Sequence, residues 1–176
     1  GTSYVGLDKF YEDARNGNLP EVSYIVAPEN LSEHPPFKPM DGSWIQKKVA
    51  DAVMEGKAWD STAIIYSYDE TGGWADYVMA PHPPRSEKGE WIEDPFLKFK
   101  GVQPIGPGYR LPFYIVSPWT RGGNVFTEHA AHESQIMFLE RWAEAHGKSF
   151  YAKEVPLWRR AQLSDLVKAF DFSKED

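Results

Sequence analysis

Two acidic residues, Asp69 and Glu70, lie side by side after a short apolar run and before the pair Gly72-Gly73. Adjacent residues inside a strand point to opposite faces, but at a strand end followed by glycines both carboxylates can turn toward one point. Two converging carboxylates repel each other unless a cation or a proton lies between them. A divalent metal with oxygen ligands is therefore the expected occupant, and a solvated acidic turn is the alternative.

A histidine follows the first apolar run, in the segment Ser32-Glu33-His34-Pro35-Pro36. Prolines restrict the backbone and could hold the imidazole in place. Histidine can donate or accept a proton near neutral pH, so His34 is a candidate for acid–base chemistry. Taken alone, a single histidine is more often structural or merely exposed.

The sequon Asn30-Leu31-Ser32 lies just before this histidine, in a segment expected to be an exposed loop. It predicts an N-glycan at Asn30 if the protein passes through a eukaryotic secretory pathway, and an unused sequon is the alternative. The chain begins Gly-Thr-Ser without an apolar leader, so we expect any targeting segment to be removed or to belong elsewhere.

The elements that must position these residues are short strands alternating with helices. Three β-branched and aromatic runs bounded by proline or glycine predict buried strands of a parallel sheet, at residues 22–27, 63–68 and 112–117. Apolar residues at helical spacing predict a helix from an N-cap at Asp41 to Gly56, and another before Gly147. A last helix is expected at residues 157–169, and the proline-rich residues 81–107 are expected to form a long loop. This order predicts an α/β fold.

Composition excludes several classes of function. The 176 residues include 41% hydrophobic and 15% aromatic residues, enough for a core, and the formal net charge is -7. Lysine and arginine are scattered, so no basic surface for nucleic acid is expected. No apolar run approaches the length that spans a bilayer. Cysteine is absent, which excludes disulfides and thiolate metal sites.

Taken in order, these segments resemble the phosphoesterase family that contains non-haemolytic phospholipases C, plant non-specific phospholipases C and bacterial acid phosphatases, and its fungal branch in particular. The resemblance extends over nearly the whole chain. It rests on Phe10-Tyr11, Leu19-Pro20, residues 22–26 and 32–36, Tyr68-Asp69-Glu70, Gly72-Gly73, Arg110-Leu111-Pro112, residues 115–119, Gly122-Gly123, residues 132–135, Trp158-Arg159-Arg160 and Asp165-Leu166.

The resemblance implies an alkaline-phosphatase-like sheet with flanking helices, of which residues 1–176 would be the C-terminal part of a single domain. It implies that Asp69 and Glu70 hold a divalent metal and that His34 contacts the phosphate of a phosphate ester or phospholipid. The remaining ligands and a Ser or Thr nucleophile would come from an N-terminal half outside this chain.

Two residues depart from the family pattern. Tyr77 follows Asp76 where the family usually has histidine, and Ala131 precedes His132 where it usually has aspartate. Either change could weaken a site or the groups that orient it.

Two hypotheses follow. In the first, the intact protein hydrolyses phosphate esters by metal-assisted nucleophilic displacement. In the second, the departures mark a decayed site, and Trp74, Trp91 and Trp119 form a surface for a ligand or partner in a non-catalytic binding domain.

Overall fold

The computed structural model describes residues 6–93, 96 and 100–173. The chain divides into two compact units, which are described separately below. The first unit contains Gly1–Tyr66 and Tyr114–Thr120, and the second contains Ser67–Phe113 and Arg121–Asp176. The regular elements of the described residues are α1 (Leu7–Asn16), α2 (Pro39–Met54), β1 (Ile64–Ser67), β2 (Trp91–Glu93), β3 (Val102–Pro104), β4 (Phe113–Val116), α3 (His132–Ala145) and α4 (Leu157–Gln162), with four short 3-10 turns.

The core of the first unit forms between α1 and α2. Apolar side chains three or four positions apart lie on one face of each helix, which buries them together. The buried members are Phe10, Ala14, Ile45, Val49, Ala52, Val53 and Ile64. Helix α2 begins earlier than its predicted N-cap, because Pro39 occupies the first helical position and the Asp41 carboxylate accepts a hydrogen bond from the Lys38 N–H at 3.3 Å. Helix α1 was not predicted.

Strands β1 and β4 pair with each other and confirm two of the three predicted strands. The third prediction was wrong, because residues 22–27 form no strand and take no place in either sheet of the described chain. Tyr24 is 91% exposed and Val26 is 72% exposed. A strand requires a hydrogen-bonded neighbour as well as a suitable composition, and composition was the whole basis of the prediction.

The second unit contains a small sheet where only a loop was expected. Strands β2 and β3 pair antiparallel, with Trp91 opposite Pro104 and Glu93 opposite Val102. The prediction of a loop over residues 81–107 was therefore wrong for these two strands, and residues 94–95 and 97–99 lie outside the described residues. Each strand is only three residues long, too short to show the alternating pattern by which strands are recognised.

Helix α3 confirms the helix predicted before Gly147, but the last predicted helix is interrupted. Helix α4 ends at Gln162, and a short 3-10 turn covers Val167–Ala169. Between them, Ser164 Oγ donates to Glu128 Oε2 at 2.6 Å and accepts from the Leu166 N–H at 3.0 Å. A serine that bonds the local backbone in this way competes with helical hydrogen bonding.

The mixed α/β class expected from the sequence is confirmed. No helix of the described residues is long and apolar enough to cross a membrane. The assignment of residues 1–176 to one part of a single domain stays a prediction.

Candidate functional site

The acidic pair directly follows β1, and the backbone before it is held by contacts within the second unit. Tyr68 contributes its N–H to the Pro112 carbonyl at 3.4 Å, and its own carbonyl lies 2.7 Å from His132 Nε2. Because a carbonyl can only accept, Nε2 carries the proton in this contact. Gln135 Nε2 also donates to Ser67 Oγ at 2.8 Å. The first turn of α3 thus fixes the end of β1.

The chain then turns through glycines, as the sequence predicted. Gly72 and Gly73 have φ angles of 66° and 82°, a region that side chains disfavour. The Gly72 N–H donates to Glu70 Oε2 at 2.7 Å. Asp69 and Glu70 are both exposed. Within the described part of the chain, the Asp69 carboxylate has no hydrogen bond or ion pair, so its oxygens are open to a ligand.

The donor chemistry of this turn fits a hard divalent cation in part. Carboxylate oxygens are the ligands that Ca²⁺ and Mg²⁺ prefer, and each ion takes six or more oxygens in all. Among residues 6–93, 96 and 100–173, no three acidic or histidine side chains converge as a metal site would require. Asp69 and Glu70 can therefore supply two ligands, and the others would have to be water, substrate or groups from outside this chain.

His34 lies in the first unit, whereas Asp69 and Glu70 lie in the second. Its ring is exposed, and Nδ1 lies 2.8 Å from the Pro35 carbonyl. Since that carbonyl can only accept, Nδ1 carries a proton and Nε2 is the nitrogen left for a substrate. The His34 N–H donates to Ser32 Oγ at 3.2 Å, and the His34 carbonyl accepts from the Phe37 N–H at 2.9 Å. Pro35 thus holds the imidazole through its carbonyl, an interaction that differs from the backbone restriction expected of the prolines.

An ion pair beside the glycine turn was not predicted. Arg110 Nε and Nη2 donate to the two carboxylate oxygens of Asp76 at 2.6 and 2.8 Å. The hydrogen bonds from Arg110 hold the pKa of the Asp76 carboxyl well below its usual range. Tyr77, one of the two departures from the family pattern, is 93% exposed, and the guanidinium lies 5.5 Å from the centre of its ring. The pair lies 34 positions apart in the sequence, so no local pattern reveals it.

This pair borders an open cleft of about 490 Å³ in the second unit. The cleft is lined by Thr71, Trp74, Ala75, Asp76, Arg110, Leu111 and Pro112. Thr71, which follows Glu70 in the sequence, is one of the lining residues. The lining combines apolar side chains with the Asp76–Arg110 ion pair. The cleft therefore presents both apolar side chains and a paired, charge-compensated arginine and aspartate to a ligand.

Two further positions singled out from the sequence are Asn30 and Ala131. Asn30 is exposed in the 3-10 turn Glu29–Leu31, where a glycan could be attached. Ala131 precedes α3, and its own N–H donates to Ser134 Oγ at 3.0 Å. Alanine has no side-chain acceptor for the N–H groups of the first turn, so the capping role of the aspartate usual in the family is not filled by this residue.

The three tryptophans offered as a binding surface do not share one role. The Trp91 indole N–H donates to the Pro84 carbonyl at 2.9 Å, and that of Trp119 donates to the Asp60 carbonyl at 2.8 Å. Both rings are partly buried, whereas Trp74 is 80% exposed. Two of the three therefore use their indole N–H groups to hold nearby backbone in place, which weakens the hypothesis of a tryptophan-lined binding domain.

Comparison with known proteins gives consistent matches. The model of the family described as Phosphoesterase matches residues 1–144. The chain is 37% identical to the non-hemolytic phospholipase C of Burkholderia pseudomallei over 97% of this chain and 25% of that protein. It is 34% identical to the hemolytic phospholipase C of Pseudomonas aeruginosa, over 95% of this chain and 23% of that protein. The chain is 31% identical to phospholipase C B of Mycobacterium tuberculosis, over 93% of this chain and 32% of that protein.

The chain thus spans about a quarter to a third of the length of these relatives. Its likeness to the fungal branch in particular stays a prediction.

Proposed function

The chain belongs to the phosphoesterase family, and we propose that it is part of a full-length protein that hydrolyses phosphate esters. The observation that carries the proposal is the turn after β1, where the backbone before the two acids is fixed and the Asp69 carboxylate is exposed and has no partner within the described residues. The named activity of the relatives suggests phospholipids as one substrate class.

Asp69 and Glu70 would contribute two oxygen ligands to a divalent metal ion. Such an ion supplies neutralisation of the charge that develops on the phosphoryl group. The Gly72 N–H already occupies one oxygen of Glu70, so Asp69 is the less constrained ligand of the two. Further ligands and a Ser or Thr nucleophile would belong to the N-terminal remainder of the full-length protein, as the family resemblance implies.

His34 would contact the phosphate through Nε2, because Nδ1 is engaged by the Pro35 carbonyl. In the neutral ring Nε2 can only accept a hydrogen bond, and a phosphate oxygen also accepts. His34 therefore binds phosphate only as the imidazolium, in which both nitrogens donate. In that form it can also pass a proton to the leaving group.

The test uses the full-length protein with phosphatidylcholine and with a soluble aryl phosphate monoester. We expect release of diacylglycerol and phosphocholine from the first or of inorganic phosphate from the second, and the products distinguish the two activities. A chelator should abolish turnover, and added divalent metal should restore it. Failure to hydrolyse either substrate in the presence of several divalent metals would contradict the proposal.

We also propose secretion, with an N-glycan at Asn30 if the source is eukaryotic. The exposed 3-10 turn leaves the amide accessible to the transferase. Protein from the native source should yield a peptide covering Asn30 whose mass exceeds that of the bare sequence and falls after glycan removal. A peptide with the unmodified mass would refute this prediction.

A further inference from the structure

Glu33, the residue before His34, has an unusual backbone conformation. Its φ angle is 66°, in the left-handed region that residues other than glycine rarely adopt. Such a conformation is energetically unfavourable and persists only where the surroundings enforce it. The side chain of Glu33 is partly buried, whereas that of His34 is exposed. At this backbone turn, the side chain of Glu33 is directed toward the protein and that of the next residue, His34, toward solvent.

Helix α2 provides the surroundings that hold Glu33. Gln46 Nε2 donates to Glu33 Oε1 at 3.0 Å. The Glu33 carboxylate also lies against the buried Gly42, where a Cβ atom would collide with the Oε1, Cγ and Cδ atoms of Glu33. A glycine inside a helix lowers its stability relative to alanine, so its presence here needs a reason. Room for the Glu33 side chain supplies that reason.

The orientation of Gln46 is fixed in turn by two tyrosines. Tyr114 Oη donates to Gln46 Oε1, which leaves the amide nitrogen to face Glu33. Tyr66 Oη donates to the Gln46 carbonyl at 2.8 Å, and the two tyrosine rings lie 4.9 Å apart. Tyr66 of β1 and Tyr114 of β4 thus orient Gln46 so that its amide nitrogen donates to the Glu33 carboxylate.

We propose that Glu33 is the positioning residue for His34: its carboxylate, docked on Gly42 and Gln46, holds the backbone turn that presents the imidazole. The proposal rests on the function proposed above for His34. Ser32 and Pro35 bond the histidine on either side, but both bonds depend on the path that the backbone takes through residue 33.

Three substitutions of Glu33 in the full-length protein distinguish the effect of its carboxylate from the effect of its backbone conformation. Glu33→Gln keeps an oxygen that can accept from Gln46 and should retain most activity. Glu33→Ala loses the acceptor and still disfavours positive φ, so kcat should fall by about 10- to 100-fold, as for small misplacements of a reacting group. Glu33→Gly removes the backbone cost but also the docking, and its activity should lie between the other two. Melting temperatures confirm that each variant is folded at the assay temperature.

Gly42→Ala tests the same contact from the other side. Alanine is the better helix former, so the substitution should be neutral or stabilising if Glu33 does not matter. If Glu33 docks here, the new methyl group displaces it, and kcat falls although Glu33 itself is unchanged. Ser43→Ala, at an exposed neighbouring position of α2, is the matched control and should leave kcat unchanged.

A double-mutant cycle with His34→Ala distinguishes positioning from general stability. If Glu33 acts through His34, Glu33→Ala lowers kcat in the parent and has no further effect in the His34→Ala background. Equal losses in both backgrounds, or full activity of Glu33→Ala beside an inactive His34→Ala, would overturn the inference.

A second readout does not depend on activity. With ¹⁵N-labelled histidine, the Nδ1–H resonance that disappears in His34→Ala belongs to the ring bonded to Pro35. It should shift or broaden in Glu33→Ala and be restored in Glu33→Gln. Should His34→Ala stay fully active, the proposed role of His34 fails, and this resonance still decides the inference: a change supports positioning by Glu33, and an unchanged resonance overturns it.

Discussion

At the scale of single residues, the two neighbouring acids of the turn have different surroundings. Glu70 accepts a backbone hydrogen bond from Gly72, which limits the directions its carboxylate can take. Asp69 is exposed, and within the described residues nothing competes with a ligand for its oxygens. The pair therefore combines one oriented carboxylate with one adaptable carboxylate. Substitution of Asp69 should then affect metal binding with little effect on folding.

Asp76 provides a prediction about pH. Hydrogen bonds from Arg110 lower the pKa of the folded Asp76 below its ordinary value of 3.8. A carboxyl with a lowered folded pKa adds stability above its unfolded pKa, and this stability is lost as pH falls. Replacing Asp76 with Asn should therefore lower the melting temperature at pH 7, and the difference from the parent should shrink only below about pH 4. Melting curves of both full-length proteins from pH 7 to pH 3 would measure this.

The matched control is Glu154→Gln, which changes an exposed carboxylate elsewhere in the second unit. It should leave the melting temperature nearly unchanged throughout. If Asp76→Asn and the parent have the same melting temperature at pH 7, the ion pair does not stabilise the fold.

Local patterns were sufficient to find some of these residues and not others. Asp69, Glu70 and His34 were predicted as site residues because acids before glycines, and a histidine before two prolines, are visible within a few positions. The tie between His132 and the Tyr68 carbonyl spans 64 positions, so no local pattern shows it. The motif that begins at His132 was noticed only through its likeness to the family. Glu33 gave no signal, because a positive φ angle at glutamate is not encoded by residue type.

At the scale of elements, α2 and α3 were predictable because an amphipathic helix forms its own hydrogen bonds. Strands β1 and β4 were found because their apolar runs are bounded by prolines and glycines. Residues 22–27 have a similar composition but form no strand, since strand formation depends on a hydrogen-bonded neighbouring strand that composition does not reveal. Helix α4 was predicted too long because Ser164 bonds the backbone beyond the helix end.

An ion pair between α3 and α4 should contribute to stability. Arg160 donates to both oxygens of Glu140 at 2.7 and 2.8 Å, and the side chains are only 15% and 11% exposed. Glu140→Gln leaves Arg160 with a weaker acceptor in a shielded place. We expect the free energy of unfolding of the full-length protein to fall by about 1.5–3 kcal/mol, as for hydrogen bonds to charged groups.

Denaturant unfolding of parent and variant would measure this loss. Glu144→Gln on the same helix is the control, because Glu144 is 71% exposed in its pair with Arg141 and should contribute at most about 0.5 kcal/mol. Equal effects of the two substitutions would show that shielding of the Glu140 pair has no energetic consequence.

At the scale of the whole molecule, the chain corresponds to a quarter to a third of the length of its bacterial relatives, and large apolar side chains are exposed in both units. Tyr24 and Val26 of the first unit and Trp74 and Met79 of the second are each more than 70% exposed. Such exposure is uncommon in stable monomers and is expected where further parts of a protein cover the surface.

We therefore predict that this chain alone aggregates or stays partly molten, and that expression together with the N-terminal remainder gives a well-folded protein. Size-exclusion chromatography and calorimetry of both preparations would test this. A monodisperse monomer of the chain alone that melts cooperatively would contradict the prediction.

We propose that Asp69 and Glu70 hold a divalent metal needed for phosphate-ester hydrolysis. The metal content of the full-length protein with Asp69→Asn tests this proposal when it is measured beside turnover and the melting temperature of the metal-free form. Asparagine keeps the size of the side chain but removes one formal charge from the ligand set.

For Asp69→Asn we expect loss of bound metal, at least about a 100-fold fall in turnover, and a metal-free melting temperature equal to or slightly above that of the parent, since two carboxylates no longer repel each other. Glu154→Gln should change none of these quantities. An Asp69→Asn variant that keeps both its full metal content and its full turnover would show that Asp69 is not a ligand of a catalytic metal.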